Sequence, residues 1–397
     1  MQGKRILLII GGGIAAYKSC ELVRLIRKAG GEVTCVLTEG GSHFVTAMTL
    51  AALSENPVHT TLWDLKNEVE MGHIQLSRQA DLVVVCPATA NMMAKMAAGI
   101  ADDLATTLIL ATDKPVLAVP AMNVRMWLNA ATQANVATLR SRDITVLDPD
   151  DGAMACGEYG PGRLPEPPAV LQAIQHALRG PGPLTGRHVL VTAGPTHEAI
   201  DPVRYIANRS SGLQGFAIAE AAAAAGAKVT LVAGPVDLPT PFGVTRVNVE
   251  SALQMEAAVE KALPADVAVM VAAVADWRVD NAGDPARKIK KDGSGQPPAL
   301  RLVENPDILA GLCASPRRPA LVVGFAAETH DVIANAQAKR LRKGADWIVA
   351  NDVSGDVMGG TRNAVQIVTA QGIEAIEQAP KAAIAQALIE RIARAFD

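Results

Sequence analysis

The sequence predicts an α/β protein of two doubly wound, mainly parallel-sheet domains joined by a Pro/Gly linker. Three observations carry that expectation. The chain has 397 residues, more than one ordinary core organises. Hydrophobic residues make up 49% and aromatic residues only 3%, so the core is built from Ala, Val, Ile and Leu, the composition of buried parallel strands covered by alanine-rich helices. A unit of apolar strand, glycine-bearing turn and amphipathic helix also occurs twice.

In the first copy the pattern predicts a strand over 5–10, a turn at Gly11, Gly12 and Gly13, a helix over 15–28 and a second strand over 32–37. Two further buried strands are expected at 81–86 and 115–119, with helical periodicity between them. The second copy starts with a strand over 188–192, turns at Ala193, Gly194 and Pro195, and reaches a strand over 228–232 after a helix over 216–225. Strands are expected again at 267–271, 320–324 and 347–350. Residues 179–186 have linker composition, which gives domains at 1–178 and 187–397. Strands alternating with helices make each half Rossmann-like, with ligands outside the carboxyl ends of the strands.

Composition also excludes partners. A net charge of -3 over 37 basic and 40 acidic residues makes no long-range field for nucleic acid or an anionic membrane. The five cysteines, at 20, 35, 86, 156 and 313, form no CxxC pair and no disulfide spacing, which points to a reducing cytoplasm. The apolar run 6–10 is too short for a signal sequence, and no run reaches the roughly 18 residues of a membrane span.

The turn at Gly11–Gly13 aims backbone amides and a helix start at the space above the first sheet, an arrangement suited to phosphate. Gly11, Gly13 and Ala16 satisfy the GxGxxA form of the dinucleotide fingerprint, with Glu39 where a ribose-binding acid would stand. Against a dinucleotide, the second strand ends in Thr38 and the next in Pro87, Ala88, Thr89, Ala90 and Asn91, short groups better matched to a mononucleotide such as FMN. The run 155–163 holds Cys156 among three glycines and a proline, a composition that predicts a loop acting as a flap with a thiol on it. Read without further context, Cys156 is equally an inert surface thiol, and a histidine at 73 is more often structural.

The motifs GGIAAYKS, MGHIQLSRQAD, PATANMMAKMAAGIADDL, PAMNVRMW and ACGEYGPGRLPEP follow one another in an order that resembles the flavin-dependent cysteine decarboxylases. The whole chain resembles the bifunctional phosphopantothenoylcysteine decarboxylase/phosphopantothenate-cysteine ligases of coenzyme A biosynthesis. The resemblance implies FMN bound by Gly12, Gly13, Thr38, Pro87, Ala88, Thr89 and Asn91. It places the active-site histidine at His73, the substrate-binding asparagine at Asn123 and the flap cysteine at Cys156. In that chemistry the thiol is first oxidised to a thioaldehyde on FMN, giving the carboxylate an electron sink as it leaves. His73 would meet the carboxylate or move a proton, Asn123 would orient the carboxylate and Cys156 would deliver a proton. Arg163 is a candidate for the substrate phosphate. Gly11 stands where the family commonly has Ser or Thr, and Leu164 replaces its methionine.

In the second half VTAGPTHEAIDPVRYIANRSSG, AAVADWR, KIKK, ENPDIL, GFAAET and KRLRKGADWIVANDV resemble the ligase. The resemblance implies activation of 4'-phosphopantothenate by CTP as an acyl-cytidylate, displaced by the amine of L-cysteine to give 4'-phosphopantothenoyl-cysteine. Asn208 would stabilise the cytidylate and Lys288, in the run Lys288, Ile289, Lys290, Lys291, would act after it. Ala273, Asp276, Pro306, Asp307, Ile308, Leu309, Phe325, Lys339 and Lys343 would bind CTP together with Lys288. Lys339 and Lys343 stand i, i+4 on a helix, so both reach one face, although such pairs are ordinarily solvated. Triphosphate chemistry implies Mg2+. The turn Ser210–Gly215 departs from the family, which carries lysine and methionine where Leu213 and Gln214 stand. The family also implies a homo-oligomer, trimer-based in the decarboxylase and dimeric in the ligase.

Two other classes compete with this bifunctional enzyme. A flavin-binding regulatory subunit of the same fold would have lost His73 or Cys156, and both are present. An NAD(P)-dependent oxidoreductase rests on GxGxxA alone.

Overall fold

The run Arg-Ile-Leu-Leu-Ile-Ile forms strand β1 (Arg5–Ile10), and its last five residues are all buried, as a strand covered on both faces requires. In this computed structural model, which describes residues 1–63, 72–154, 157–280, 288–290, 299–352 and 360–396, the chain divides into two units, Met1–Gly180 and Pro181–Asp397.

In the first unit β1 is joined by β2 (Glu32–Leu37), β3 (Val58–His59), β4 (Leu82–Ala88), β5 (Val116–Pro120) and β6 (Thr145–Val146). The strand order is β3-β2-β1-β4-β5-β6 and every pairing is parallel. Side chains alternate across the sheet: Leu7 and Ile9 pack with Met93 and Leu108 in one layer, while the equally buried Ile6, Leu8 and Ile10 point to the other. Each such residue contributes roughly 1.5–3 kcal/mol of burial. The order reverses between β1 and β4, which opens a crevice at their carboxyl ends. The helix expected over 15–28 begins as a 3-10 turn, Ile14–Tyr17, before the α-helix Lys18–Lys28.

Residues 159–163 correct the sequence expectation of a loop over 155–163. Asp150–Ala153 and Tyr159–Arg163 pair antiparallel as β7 and β8, a two-stranded hairpin. Glycine and proline weaken a central strand, but a two-stranded ribbon has open edges where a missing proline N–H costs nothing, and a bulge at Asp150/Asp151 absorbs the misfit.

In the second unit β9 (His188–Ala193), β12 (Lys228–Ala233), β13 (Val244–Asn248), β14 (Val267–Met270), β17 (Leu321–Glu328), β18 (Trp347–Asp352), β19 (Arg362–Val368) and β20 (Ile373–Pro380) form one sheet, with β10 (His197–Ala199), β11 (Tyr205–Ala207), β15 (Trp277–Val279) and β16 (Leu302–Glu304) in small hairpins. Its order is β13-β12-β9-β14-β17-β18-β19-β20, parallel through β18 and antiparallel at the last two strands. Alternation again divides the strands: Val189, Val191 and Val269 face one core with the helices Leu213–Ala224 and Lys381–Arg394, and Leu190, Ala268 and Val322 face another with Met255 and Leu312. The helix expected to start at 216 starts at Leu213.

Residues 181–186, expected as linker, fold onto this unit. Leu184 is fully buried and its amide donates to the Ala225 carbonyl at 2.9 Å. Cys35 and Cys86 are buried, while Cys20 and Cys313 are half-buried.

Candidate functional site

All parallel strands of the first unit end on the same side, so the residues that follow β1, β2, β4 and β5 meet there. Gly11 must be glycine in this arrangement, because a Cβ on it would stand 2.3 Å from the Pro87 carbonyl oxygen. A Cβ on Gly12 would stand 2.9 Å from Gly40, whereas one on Gly13 would meet nothing within 4 Å. A bare backbone floor is thus packed from below and open above. That floor fits a flat, phosphate-bearing group.

The polar side chains around it start helices. Thr38 Oγ1 accepts from Gly41 N at 3.0 Å and donates to the Ile10 carbonyl at 2.9 Å, joining the ends of β1 and β2. Thr89 Oγ1 accepts from Met92 N at 3.2 Å and caps the helix Ala90–Ala98. Asn123 Oδ1 accepts from Met126 N at 2.8 Å and caps Val124–Leu128. The structure therefore gathers Gly12, Gly13, Thr38 and Thr89 at one edge, with Pro87 and Ala88 buried inside β4 and Asn91 exposed on the following helix.

The hairpin reaches this edge through Asn123. Met122 N donates to the Gly162 carbonyl at 3.0 Å, and a Cβ on Gly162 (φ 143°) would stand 2.4 Å from the Met122 carbonyl oxygen. Met154 N donates to the Glu158 carbonyl at 2.8 Å, and Cys156 lies outside the described residues. His73 stands in the first turn of the helix Gly72–Gln79, with its side chain outside those described.

Arg163, the sequence candidate for a phosphate, is already paired. Its Nη2 donates to Glu166 Oε1 at 2.6 Å. The same oxygen receives Lys18 Nζ at 2.9 Å, and Lys18 also donates to the Leu164 carbonyl at 3.1 Å. The Lys18 hydrogen bond, with Arg163 beside it, holds the Glu166 carboxyl below its ordinary range.

In the second unit the switch point lies between β9 and β14, and a cleft of about 910 Å³ opens there. Its lining brings together Asn208, Ala273, Asp276, the run Pro306–Leu309, Phe325, Lys339 and Lys343, which the sequence places far apart. Asn208 Nδ2 donates to the Val274 carbonyl at 2.9 Å. Lys339 Nζ donates to the Phe325 carbonyl at 2.8 Å, and burial draws its pKa down despite Glu328. Lys343 is ion-paired with Asp307, which caps the helix Ile308–Ala314 through Ala310 N at 3.0 Å. Burial pushes the Asp307 carboxyl up, yet Lys343 and the amide outweigh it, and its pKa is lowered.

Lys288 is exposed and is not among the residues lining the cleft; Lys291 lies outside the described residues. The neighbour of Lys288 is held firmly. Ile289 N donates to Asp201 Oδ2 at 3.2 Å and the Ile289 carbonyl accepts from Arg204 Nη2 at 3.1 Å. Asp201 also receives Val203 N and Arg204 N, each at 2.9 Å. The Arg204 guanidinium, then these amides, hold its carboxyl far below the usual carboxylate range.

Sequence reasoning missed Asp201 and the cleft residues Asn351, Asn363 and Lys381, and marked Gln214 only as a departure from the family. Asp201 carried one signal, the i, i+3 spacing to Arg204. Lys381 carried another, a cation opening a helix against its dipole. Asn351 stands within the ligase-like run 339–353, and Asn363 carried no signal.

Two doubly wound sheets, each with its polar residues gathered at the switch point, define a nucleotide-binding class, and the first is a flavoprotein by family. Residues 1–179 match the Flavoprotein family, and residues 184–396 match the DNA/pantothenate metabolism flavoprotein C-terminal domain family. The chain is 45% identical over 395 residues to the Coenzyme A biosynthesis bifunctional protein CoaBC of Vibrio vulnificus (strain YJ016), covering 99% of this chain and 98% of that one. It is 44% identical over 401 residues to the protein of the same name from Escherichia coli (strain K12), covering 100% and 98%. A crystal structure of the C-terminal domain of a Coenzyme A biosynthesis bifunctional protein CoaBC, 36% identical, covers 54% of this chain and 98% of that one at a TM-score of 0.46. The chain belongs to the family of bifunctional coenzyme A biosynthesis enzymes.

Proposed function

We propose that the second unit joins 4'-phosphopantothenate to L-cysteine at the expense of CTP, and that the first unit decarboxylates the product to 4'-phosphopantetheine with FMN. What supports this reading is that Gly12, Gly13, Thr38 and Thr89 stand at the switch-point edge of the first sheet and Asn208, Asp276, Phe325, Lys339 and Lys343 line the cleft of the second, in a chain that aligns with bifunctional relatives over its whole length.

FMN would rest on the Gly12–Gly13 floor between Thr38 and Thr89, and when bound it supplies the electron sink and source that carboxylate loss requires. The chain's own residues do the rest. Asn123 uses its oxygen on Met126 N, which fixes the rotamer and leaves the Nδ2 hydrogens to orient the substrate carboxylate. Cys156, which lies outside the described residues, is assigned the proton delivered to product, and His73 the contact with the carboxylate. Arg163 meets a substrate phosphate only by sharing or releasing Glu166.

In the second unit CTP would occupy the cleft along Ala273, Asp276, Pro306–Leu309 and Phe325, with Lys339 and Lys343 toward its phosphates. Asn208 is assigned to the acyl-cytidylate and Lys288 to the step after it, with Asp201 as the residue that positions the Lys288 segment. Among the described residues no group of three or more His, Cys, Asp or Glu forms a metal cage, so Mg2+ would arrive on the triphosphate. No helix among the described residues is long and apolar enough to cross a membrane. Exposed Met48 and Trp63 (each 82%) and Ile14 (68%) on the first unit suit a face between subunits.

The test is one incubation of purified protein with 4'-phosphopantothenate, L-cysteine, CTP and Mg2+, followed by mass spectrometry, with Cys156→Ser and Lys288→Gln in parallel. Expected products are 4'-phosphopantetheine, CMP and pyrophosphate from wild type, a stalled decarboxylated species from the first variant and no amide from the second. Flavin absorbance with neither product would leave the enzyme reading untenable and favour a regulatory flavoprotein.

A further inference from the structure

Among the described residues Lys381 is a buried cation without a counter-charge. It opens the helix Lys381–Arg394, is only 9% exposed and lines the cleft of the second unit. Among the described residues its Nζ has neither a hydrogen-bond nor an ion-pair partner, and burial alone acts on the ammonium, drawing its pKa below the ordinary lysine value. Other lysines that are buried or half-buried are handled differently. Lys18 is paired with Glu166, Lys343 with Asp307, and Lys339 donates to a carbonyl. An unpaired ammonium taken out of water is costly, and a helix start is the wrong end of the dipole for it.

A second feature stands beside it. The helix Leu213–Ala224 begins at Gly212 (φ 73°) with no side-chain cap, so no side chain accepts from its first amides. Gln214, in that first turn, donates from Nε2 to the Lys381 carbonyl at 3.4 Å, which joins the two helix starts. Its Oε1 is buried without a partner. Two positive helix ends and an ammonium thus meet at a place where, among the described residues, no acidic side chain pairs with the ammonium.

We propose that Lys381, together with the amides that open the helix Leu213–Ala224, forms a seat for a phosphoryl group of a ligand held in the cleft. The assignment rests on the ligase reading of this unit and names a contact that reading leaves open. Two phosphorylated ligands share the required chemistry, the nucleoside triphosphate and the phosphate ester of the acid substrate, and titration separates them.

Wild type, Lys381→Met and Lys381→Arg are titrated calorimetrically with CTP plus Mg2+, with 4'-phosphopantothenate and with unphosphorylated pantothenate, and each is melted without ligand. Removing a charge-assisted contact should weaken one phosphorylated ligand by roughly tenfold to hundredfold in Lys381→Met, with Lys381→Arg retaining most of the affinity. Loss for CTP assigns the seat to the triphosphate, and loss for 4'-phosphopantothenate but not pantothenate assigns it to the ester. The ligand-free melting temperature should be unchanged or higher, since the removed charge was unpaired. Binding of both phosphorylated ligands within about twofold of wild type, or equal loss for pantothenate, overturns the proposal. Lys381→Gln repeats the comparison should the methionine variant be unstable. If wild type binds neither CTP nor 4'-phosphopantothenate, the ligase reading itself fails; if wild type binds and Lys381→Met binds equally, only the seat does.

Discussion

In Met1–Gly180 the polar side chains at the carboxyl edge of the sheet are engaged with backbone: Thr38, Thr89 and Asn123 each accept from an amide that opens a helix. In Pro181–Asp397 the corresponding cleft is lined by lysines, one on a carbonyl, one on a carboxylate and one without either. The first is a rigid floor of backbone and caps, suited to a group that stays. The second keeps its charge on long side chains, which can follow a ligand whose charge moves. The difference teaches that one sheet topology offers both kinds of site, and that the loops after the strands decide which.

The comparison breaks most visibly at Asn123. Asn123→Asp keeps an oxygen for Met126 N and so keeps the cap, but it removes the amide donor and sets a negative charge where the proposed function puts the substrate carboxylate. Decarboxylation should fall by roughly a hundredfold or more, with the melting temperature nearly unchanged. Retained activity would show that only the cap matters there.

The second unit is probed by Asp201→Asn, which releases the clamp on Ile289 without touching the cleft. Amide formation should fall by roughly tenfold to hundredfold through misplacement of Lys288, while decarboxylation of supplied 4'-phosphopantothenoyl-cysteine stays constant. Because the Asp201 carboxyl is held far below the usual range, the clamp should be intact from neutral pH down through ordinary carboxylate titration, and lost only on further acidification. Amide formation unchanged by the variant would separate Lys288 from Asp201.

Gly11→Ser sharpens the contrast at the floor. The added side chain meets the Pro87 carbonyl, and the resulting shift should destabilise the first unit by about 1–3 kcal/mol and weaken flavin retention, leaving ligation intact. Full flavin occupancy with an unchanged melting temperature would show that the floor yields.

The smallest effect concerns the core thiols. Burial pushes both Cys35 and Cys86 from 9.0 up to about 12. Below pH 9 these thiols are protonated in folded and unfolded chains alike; between pH 9 and 12 only the unfolded chain ionises, so their contribution to stability declines as pH rises. A thiol reagent at pH 8 should leave Cys35 and Cys86 unlabelled until denaturant is added, and prompt labelling of either in the native protein would contradict their burial.

Much of the site was legible because it follows a strand directly. Gly11–Gly13, Thr38 and Thr89 sit at strand ends, so recognising the strands located them. The hairpin at 150–163 was not legible, since its glycines and proline argue against a strand and only pairing with Asp150–Ala153 and contact with Met122 make it one. β19 and β20 escaped for a related reason: Ile373–Pro380 is an exposed edge without an apolar run.

The amino-acid sequence by itself determined two α/β units, the parallel order implied by alternating strands and helices, and the residue types at each strand end, because periodicity and turn chemistry are local. Tertiary structure alone decided that Glu166 holds Arg163, that Asp201 anchors the Lys288 segment and that Lys381 stands unpaired beside the helix Leu213–Ala224. Those facts join residues 3, 88 and 167 positions apart, and electrostatic pairing depends on distance in space and on exclusion of water, neither of which is written along a chain.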